Sequence, residues 1–419
     1  MTLRTSRNFA SASASGTDWR DTAKKVVEQL QGAMSGEKHF TLGLIYVTDH
    51  LARDVRSILT LLKSVTHVEH WSGTIGVGIF GGEKVHWDEP AISVMLMDVP
   101  EDSFRLMDIP KLKDAEYGQK FNDWLSNTET MLALWHIGAV TPSLGPRLQE
   151  MSTLLGGYFV GGAASARTAN MQGVEKRSED DVSGIVFSAD TPVAVGQTQG
   201  IRPIGPEHII TFTENEHIIR DLDHKRCFEV FQDDLKSLAR ERIGIDPDEI
   251  TLSEDALESG EFWDEIPVEF RSLFQGEVHI AFPIAGSDRG DMVVGNISGI
   301  DRDMGMMSVS HQVFIGDSIR FVQRTPETIR EGLVKSLENL KERIISDHGE
   351  FKPKGAIYIS CVARAAAKID EGADADAYGQ EYDLVRKMLG DIPITGFYAG
   401  GEILNAQLYG NTAIITVFV

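Results

Sequence analysis

Cys361 stands three residues before Arg364, and Glu402 follows the pair Gly400-Gly401. A guanidinium close to a thiol favours the thiolate, which makes Cys361 a candidate reactive or ligand-contacting cysteine. The competing reading is a buried cysteine at a strand end, since free cysteine is among the most buried residue types. No histidine that would serve as its base is evident, so Cys361 is a weak catalytic candidate and no other is named. Glu402 lies where backbone without a Cβ lets a ligand approach. Its carboxylate can accept from a ligand ammonium or cap a neighbouring turn. Arg167, which closes the run Gly161-Gly162-Ala163-Ala164-Ser165-Ala166, is a candidate anion partner because guanidinium pairs bidentately with carboxylates. A solvated or internally paired arginine is the alternative there. Asp288-Arg289-Gly290-Asp291 reads as a tight polar turn, with Asn296 just beyond it.

Familiar cofactor motifs fail on context. Gly76-Val77-Gly78-Ile79-Phe80-Gly81 has the spacing G-x-G-x-x-G, but dinucleotide binding needs a helix to open on those glycines. Trp87, Asp88 and Pro90 follow instead, and then a strand. No Walker-type G-x-x-x-x-G-K-[ST] occurs. Gly295-Asn296-Ile297-Ser298-Gly299 is spaced wrongly for a nucleophile elbow. His67, His70 and His86 lie near Glu69 but lack the paired spacing of a zinc site, and read as partly buried or surface histidines. The sequence calls for no cofactor and no metal.

The chain has 419 residues, 42% hydrophobic and 25% charged, a globular balance with room for two or three domains. No stretch approaches eighteen apolar residues, so no transmembrane helix is expected. Acids number 63 against 40 Lys and Arg, for a net charge of −23, and no run is rich in basic residues. Such a surface repels polyanions, which disfavours nucleic acid as a partner. Two cysteines, Cys227 and Cys361, build no disulfide framework and fit a reducing compartment, so a cytoplasmic location is expected. Residues 1–17 carry Arg4, Arg7 and a Ser/Ala run. They read as a flexible tail, with an organelle transit peptide as the alternative.

These candidates need elements to hold them. Residues 18–31 read as a helix with Asp18 as N-cap and Ala23, Val26, Val27 and Leu30 on one face. A buried strand follows at 41–47, and a helix at 51–64 with Val55, Ile58, Leu59 and Leu62 in its apolar stripe. Then come a glycine-punctuated stretch at 68–78 and a strand at 91–97. The same order recurs at 355–361, 380–389, 396–402 and 413–419. A weaker copy runs through 148–155, 156–162 and 183–188. Units of this kind cannot bury both faces alone, so the repetition predicts packed, similar units. Between them, 221–260 is acidic and helical, with Cys227, Phe228, Val230, Phe231, Leu235 and Leu238 on its apolar face and a turn at Asp246-Pro247-Asp248. A strand-rich block spans 279–324. An exposed helix follows at 326–347, with Thr325 as N-cap and Pro326 as its first residue. The change of composition near Asp221 sets the expected division: a flexible tail at 1–17, an N-terminal domain at 18–220 and a C-terminal domain at 221–419.

Ile359-Ser360-Cys361-Val362-Ala363-Arg364, then Gly390-Asp391-Ile392-Pro393-Ile394-Thr395-Gly396-Phe397-Tyr398-Ala399-Gly400-Gly401-Glu402-Ile403, resemble the C-terminal signature of the FIST family. Asn411-Thr412 introduces the last strand as that signature requires. Residues 68–78, 160–167 and 198–206 resemble motifs of the family's N-terminal half. Ala363 and Ala365 depart from it where glycine is frequent, and Gly295 where an arginine-like residue commonly precedes the asparagine. The resemblance implies an α+β fold of two pseudo-repeated halves, with mixed and antiparallel sheets flanked by helices. It also implies a sensory role in signal transduction, binding small molecules such as amino acids. Relatives append histidine-kinase, methyl-accepting or F-box modules that have no counterpart in this sequence, so output is expected through a signalling protein partner. The expected ligand-binding set is Arg167, Asn296, Cys361, Arg364, Phe397 and Glu402, around an amino acid-like ligand. A protein-interaction scaffold and a thiol-dependent enzyme using Cys361 are the alternatives.

Overall fold

The computed structural model describes residues 4–5, 9–34, 39–108, 115–138, 140–141, 144–167, 182–244, 246, 277–284, 292–365 and 379–419. Its longer elements run in chain order as follows. First come β1 (Phe9–Ser15), α1 (Trp19–Met34), β2 (Leu42–Thr48), α2 (Val55–Thr66), β3 (His70–Gly76), β4 (Gly78–Gly81), β5 (Lys84–Trp87) and β6 (Ala91–Met97). Then β7 (Phe104–Asp108), α3 (Ala115–Ser126), β8 (Thr130–Ile137), α4 (Leu144–Leu155), β9 (Tyr158–Ala164), β10 (Val182–Ser188) and β11 (Val193–Thr198). Next are β12 (His208–Asn215), β13 (Ile218–Leu222), α5 (Cys227–Ile243), β14 (Glu277–Pro283), β15 (Met292–Asp301), β16 (Met306–Val309) and β17 (Ser318–Arg324). Last are α6 (Pro326–His348), β18 (Gly355–Cys361), α7 (Gln380–Leu389), β19 (Ile394–Leu404), β20 (Gln407–Tyr409) and β21 (Ala413–Phe418).

Two compact units result, and they are not the sequential halves expected. One joins Met1–Gln199 to Arg330–Val419, and the other is Gly200–Ile329. Asp221, the expected boundary, lies within β13, inside the second unit.

The predicted repetition is real in the first unit, and each copy has four strands. In every copy an outer strand pairs antiparallel with a returning strand, and in the first copy Arg4–Thr5 pairs with the far side of that outer strand. The returning strand pairs antiparallel with the first strand of a strand–helix–strand unit, whose two strands are parallel. The copies are β1-β6-β2-β3 around α2, β7-β10-β8-β9 around α4, and β11-β21-β18-β19 around α7. Copies two and three join edge to edge through β9 and β19 to make one long sheet, and copy one is a separate sheet.

Strand β2 shows why the sheets stack. All seven of its residues are buried, as in strands covered on both faces. Alternation sends Ile45 and Val47 to a core with α1 and α2. Tyr46 goes to the other side, where it stacks on Phe397 of β19 with centroids 5.1 Å apart. On the far face of the long sheet, α6 and α7 pack on β18, β19 and β21, while α3 and α4 pack on β8, β9 and β10. The first unit is thus layered helix, sheet, sheet, helix. Glycines on the second parallel strand permit the close pairing: a Cβ on Gly73 would collide with the Ile45 carbonyl, one on Gly161 with that of Trp135, and one on Gly396 with that of Tyr358.

Two expectations need correction. Residues 9–15 are not part of a flexible tail; they form β1, paired along its length with β6. Ala10, Ala12 and Ala14 face α1 and α2, while the intervening serines face the other sheet, so a run that looks simple is a period-two strand. Helix α6 is not exposed throughout, because Leu333, Leu337, Leu340 and Ile344 are buried on one stripe. Its N-cap is as expected: Thr325 Oγ1 accepts from the Thr328 amide at 3.1 Å. Asp18 likewise accepts from the Arg20 amide at 2.7 Å. The expected turn at Pro247-Asp248 and the run beyond it lie outside the described residues.

In the second unit, β17, β12, β13, β16, β15 and β14 pair antiparallel in that order, and β14 pairs back to β17. The ring is closed, and α5 contributes Cys227, Val230, Phe231 and Leu238 to its core. His208 is held there between Asp223 (Nδ1–Oδ2 2.6 Å) and Asp234 (Nε2–Oδ2 3.0 Å). Burial would lower its pKa, but the two carboxylates outweigh it and raise the value above 6.5.

Gly396→Ala should destabilise the fold by about 3 kcal/mol, since the clash is with backbone that cannot swing away. Gly145→Ala, where a Cβ meets open space, should change stability by no more than about 0.5 kcal/mol. Thermal denaturation of both variants checks the pair. A raised histidine pKa contributes stability that is complete below its unfolded value near 6.5 and lost as pH rises through the folded value. As pH rises above 6.5, amide exchange in β12 and β13 should therefore quicken beyond the intrinsic base-catalysed rise, and His208→Gln should flatten that excess.

Candidate functional site

Strand β18 ends at Cys361, and the chain continues into a single 3-10 turn, Val362–Arg364, which buries Arg364 to 1% exposure. Its guanidinium is already spent. Nε donates to Glu381 Oε2 at 3.2 Å, and Nη2 lies 2.9 Å from Glu381 Oε1 as a close ion contact. Nη1 donates to the carbonyls of Gln199 (3.0 Å) and Asn411 (3.1 Å). Tyr358 adds its hydroxyl to Glu381 Oε2 at 2.9 Å. This network fixes α7 to the strand end, and a ligand carboxylate would have to break a buried ion pair to enter it.

Glu402 is fully buried on β19, close enough to Cys361 that each bears on the other's ionisation. Burial pushes the Glu402 carboxyl up to about 8, against the lowering effect of the Thr412 amide, Cys361 and Arg364. Burial, with the Glu402 charge next, pushes the Cys361 thiol up to about 12. A thiol so held is protonated at neutral pH, the opposite of an activated nucleophile. Glu402 Oε2 accepts from the Thr412 amide at 3.2 Å, while Oε1 meets no N–H or O–H donor among the described residues.

The other expected site residues do not join this group. Arg167 is half exposed and clamps Asp49 through Nε (2.9 Å) and Nη2 (3.0 Å), reaching Asp88 at 2.6 Å. Burial would raise the Asp49 carboxyl, but these bonds hold it below the usual value. Phe397 is a wholly buried wall between the sheets, against Tyr46 and His136. Asn296 is on β15, in the other compact unit. The polar turn at 288–291 lies outside the described residues. Of the expected set, only Cys361, Arg364 and Glu402 are brought together.

The glycine motif at 76–81 opens no helix; β4 turns through Gly82 into β5 as a hairpin. His67 and His70 are exposed, and His86 is buried. Among the described residues no group of His, Cys, Asp and Glu could hold a metal ion. Also among them, no helix is long and apolar enough to cross a membrane.

That hairpin and the start of α7 border a cleft of about 510 Å³ that sequence reasoning missed. Glu83, Glu89 and Asp383 line it with Lys84, Val85, Trp87 and Gly379. Lys84 reaches Glu89 at 3.3 Å, and Arg386 approaches Asp383 at 3.6 Å and Glu83 at 3.9 Å. Three carboxylates set against Lys84 and Arg386 leave the recess with a net negative charge beside the Trp87 indole, which favours a cation. Trp87 and the acids near it are visible in the sequence, but Asp383 joins them from about three hundred residues away and nothing local announces that meeting.

Residues 41–225 match the FIST N domain and residues 264–405 the FIST C domain. An uncharacterized protein of Mycobacterium bovis is 25% identical over 416 residues, covering 96% of each chain. An uncharacterized protein of Mycobacterium tuberculosis is 24% identical over 363 residues, covering 83% of each.

The Glu402 carboxyl supplies a test of the buried group. A carboxyl whose folded pKa is raised contributes stability below its unfolded value near 4.5, and that contribution is lost as pH climbs through about 8. Glu402→Gln, which stays neutral, should therefore gain stability relative to the wild type as pH rises from about 5 to about 8.5, read as the difference in Tm between the two proteins.

Proposed function

Because the chain belongs to the FIST family and carries both its N and its C domain, we propose that it is a small-molecule-binding sensory module of intracellular signal transduction, whose ligand bears a cationic amine as amino acids do. FIST domains are sensory domains of signal transduction. The observation that carries the choice of ligand is the cleft between the β4–β5 hairpin and α7, which Glu83, Glu89 and Asp383 line together with Trp87. An ammonium group gains there from carboxylates and from the face of an indole, both in a recess that strips part of its water. Lys84 offers the complementary partner for a ligand carboxylate. The arginines expected to do so, Arg167 and Arg364, are engaged elsewhere. The acidic mean charge of the chain draws cations towards it and repels polyanions. We place the protein in the cytoplasm, in keeping with two free, buried cysteines.

A thermal-shift screen of amino acids and amines against the whole chain tests this reading. A ligand at about a hundred times its Kd should stabilise the fold by about 2.7 kcal/mol. The shift should vanish in Trp87→Ala and in Asp383→Asn, and N-acetylation of the ligand amine should abolish it. Equal shifts from neutral or purely anionic compounds would show that the cleft does not read a cation.

A further inference from the structure

Apart from that cleft's ligand chemistry, a second arrangement stands on the inner side of the same hairpin. Ser13 Oγ of β1 lies 3.0 Å from His86 Nε2, and His86 Nδ1 lies 2.7 Å from Glu89 Oε1. The hydroxyl, imidazole and carboxylate are therefore in line through opposite ring nitrogens, which is the order that nucleophilic acyl transfer requires. Glu89, an acceptor only, accepts a hydrogen bond from Nδ1–H and so leaves the Nε2 lone pair facing Ser13. The hydroxyl also reaches the Gly81 carbonyl at 2.9 Å, so its single proton turns between that oxygen and His86. Ser13 is buried to 5% exposure, and the approach to it lies beside Gly82, where a Cβ would meet Ser13 Oγ at 3.1 Å. The opposite side is closed, since a Cβ on Gly81 would collide with Ser93 and Ser13.

We propose that Ser13, His86 and Glu89 form a hydrolytic site for small, short-chain acyl esters, with Ser13 as nucleophile, His86 as general base and Glu89 as its positioning partner. Attack forms the bond from Ser13 Oγ to the acyl carbon while the hydroxyl proton passes to His86 Nε2. Collapse of the adduct breaks the ester C–O bond, and the leaving alkoxide takes that proton from His86. Water, giving its proton to His86, then attacks the acyl-serine, which releases the acid and returns the proton to Ser13. Glu89 holds the ring in the required tautomer and stabilises the transient imidazolium. The narrow opening beside Gly82 limits the acyl group to a few carbons. Burial lowers the His86 pKa, which keeps the ring neutral and able to accept a proton at physiological pH.

The full chain, treated with a fluorophosphonate probe and mapped by peptide mass spectrometry, should carry its adduct on Ser13. Hydrolysis of p-nitrophenyl acetate should fall by about 100-fold or more in His86→Gln, and Gly82→Ala, which fills the opening, should slow both labelling and hydrolysis. Circular dichroism of each variant establishes that the fold persists; mapping of the wild type requires no variant at all. Absence of a Ser13 adduct, or labelling and hydrolysis unchanged in His86→Gln, would overturn the proposal. Glu89 lines the cleft as well, so amine binding is read on the wild type by the thermal-shift screen, separately from labelling and hydrolysis.

Discussion

Two sheets lie face to face in the larger unit, and several of the polar side chains that meet there are hydrogen-bonded across the gap. Ser93 donates to the Phe80 carbonyl and lies 2.8 Å from Thr395 Oγ1. Ser13 donates to the Gly81 carbonyl. His136 sits between Tyr46 (3.1 Å) and Ser72 (3.2 Å), and burial drives its pKa down to about 3, so it stays neutral in the interface. A buried hydroxyl left without a partner costs about 1–3 kcal/mol, so these bonds fix the register in which the sheets can pack. The position of the β4–β5 hairpin, and with it the cleft, follows from that register.

Much of this was legible in the sequence. The recurring order of strand, helix and glycine-rich stretch reflects a physical need, because the second parallel strand of each copy must pass close to the carbonyls of the first. Gly73 and Gly396 are the residues that allow it, and they stand inside the stretches that drew attention. The caps Asp18 and Thr325 were likewise readable, because a cap acts over two or three residues. Strand β1 was not, since alanine and serine carry little hydrophobic signal and its partner β6 is some eighty residues away.

The candidate site was less legible for the same reason of range. Arg364 looked available for an anion, yet Glu381 from α7 neutralises it, and the intervening chain gives no hint of that pairing. Phe397 was expected in the ligand-binding set and is a core residue. Cys361 and Glu402 do meet, but burial pulls both away from ionisation, so their closeness makes a neutral pair and not a charged one. Residue type and spacing report what a side chain is able to do; only its neighbours decide whether that capacity is left over.

The second unit leaves the chain and returns to it at nearly one place. Gly200 and Ile329 pack so closely that a Cβ on the glycine would lie 2.7 Å from the Ile329 Cα, and Thr328 Oγ1 donates to the Gly200 carbonyl at 2.7 Å. A closed ring of strands with joined ends has the character of an insertion: among the described residues it presents no sheet edge to complete, and it asks its host for no span to bridge. A host chain tolerates the gain, loss or exchange of such a cassette at the cost of a short loop. The larger unit, assembled from segments on either side of it, can therefore keep its architecture while the inserted ring diversifies on its own.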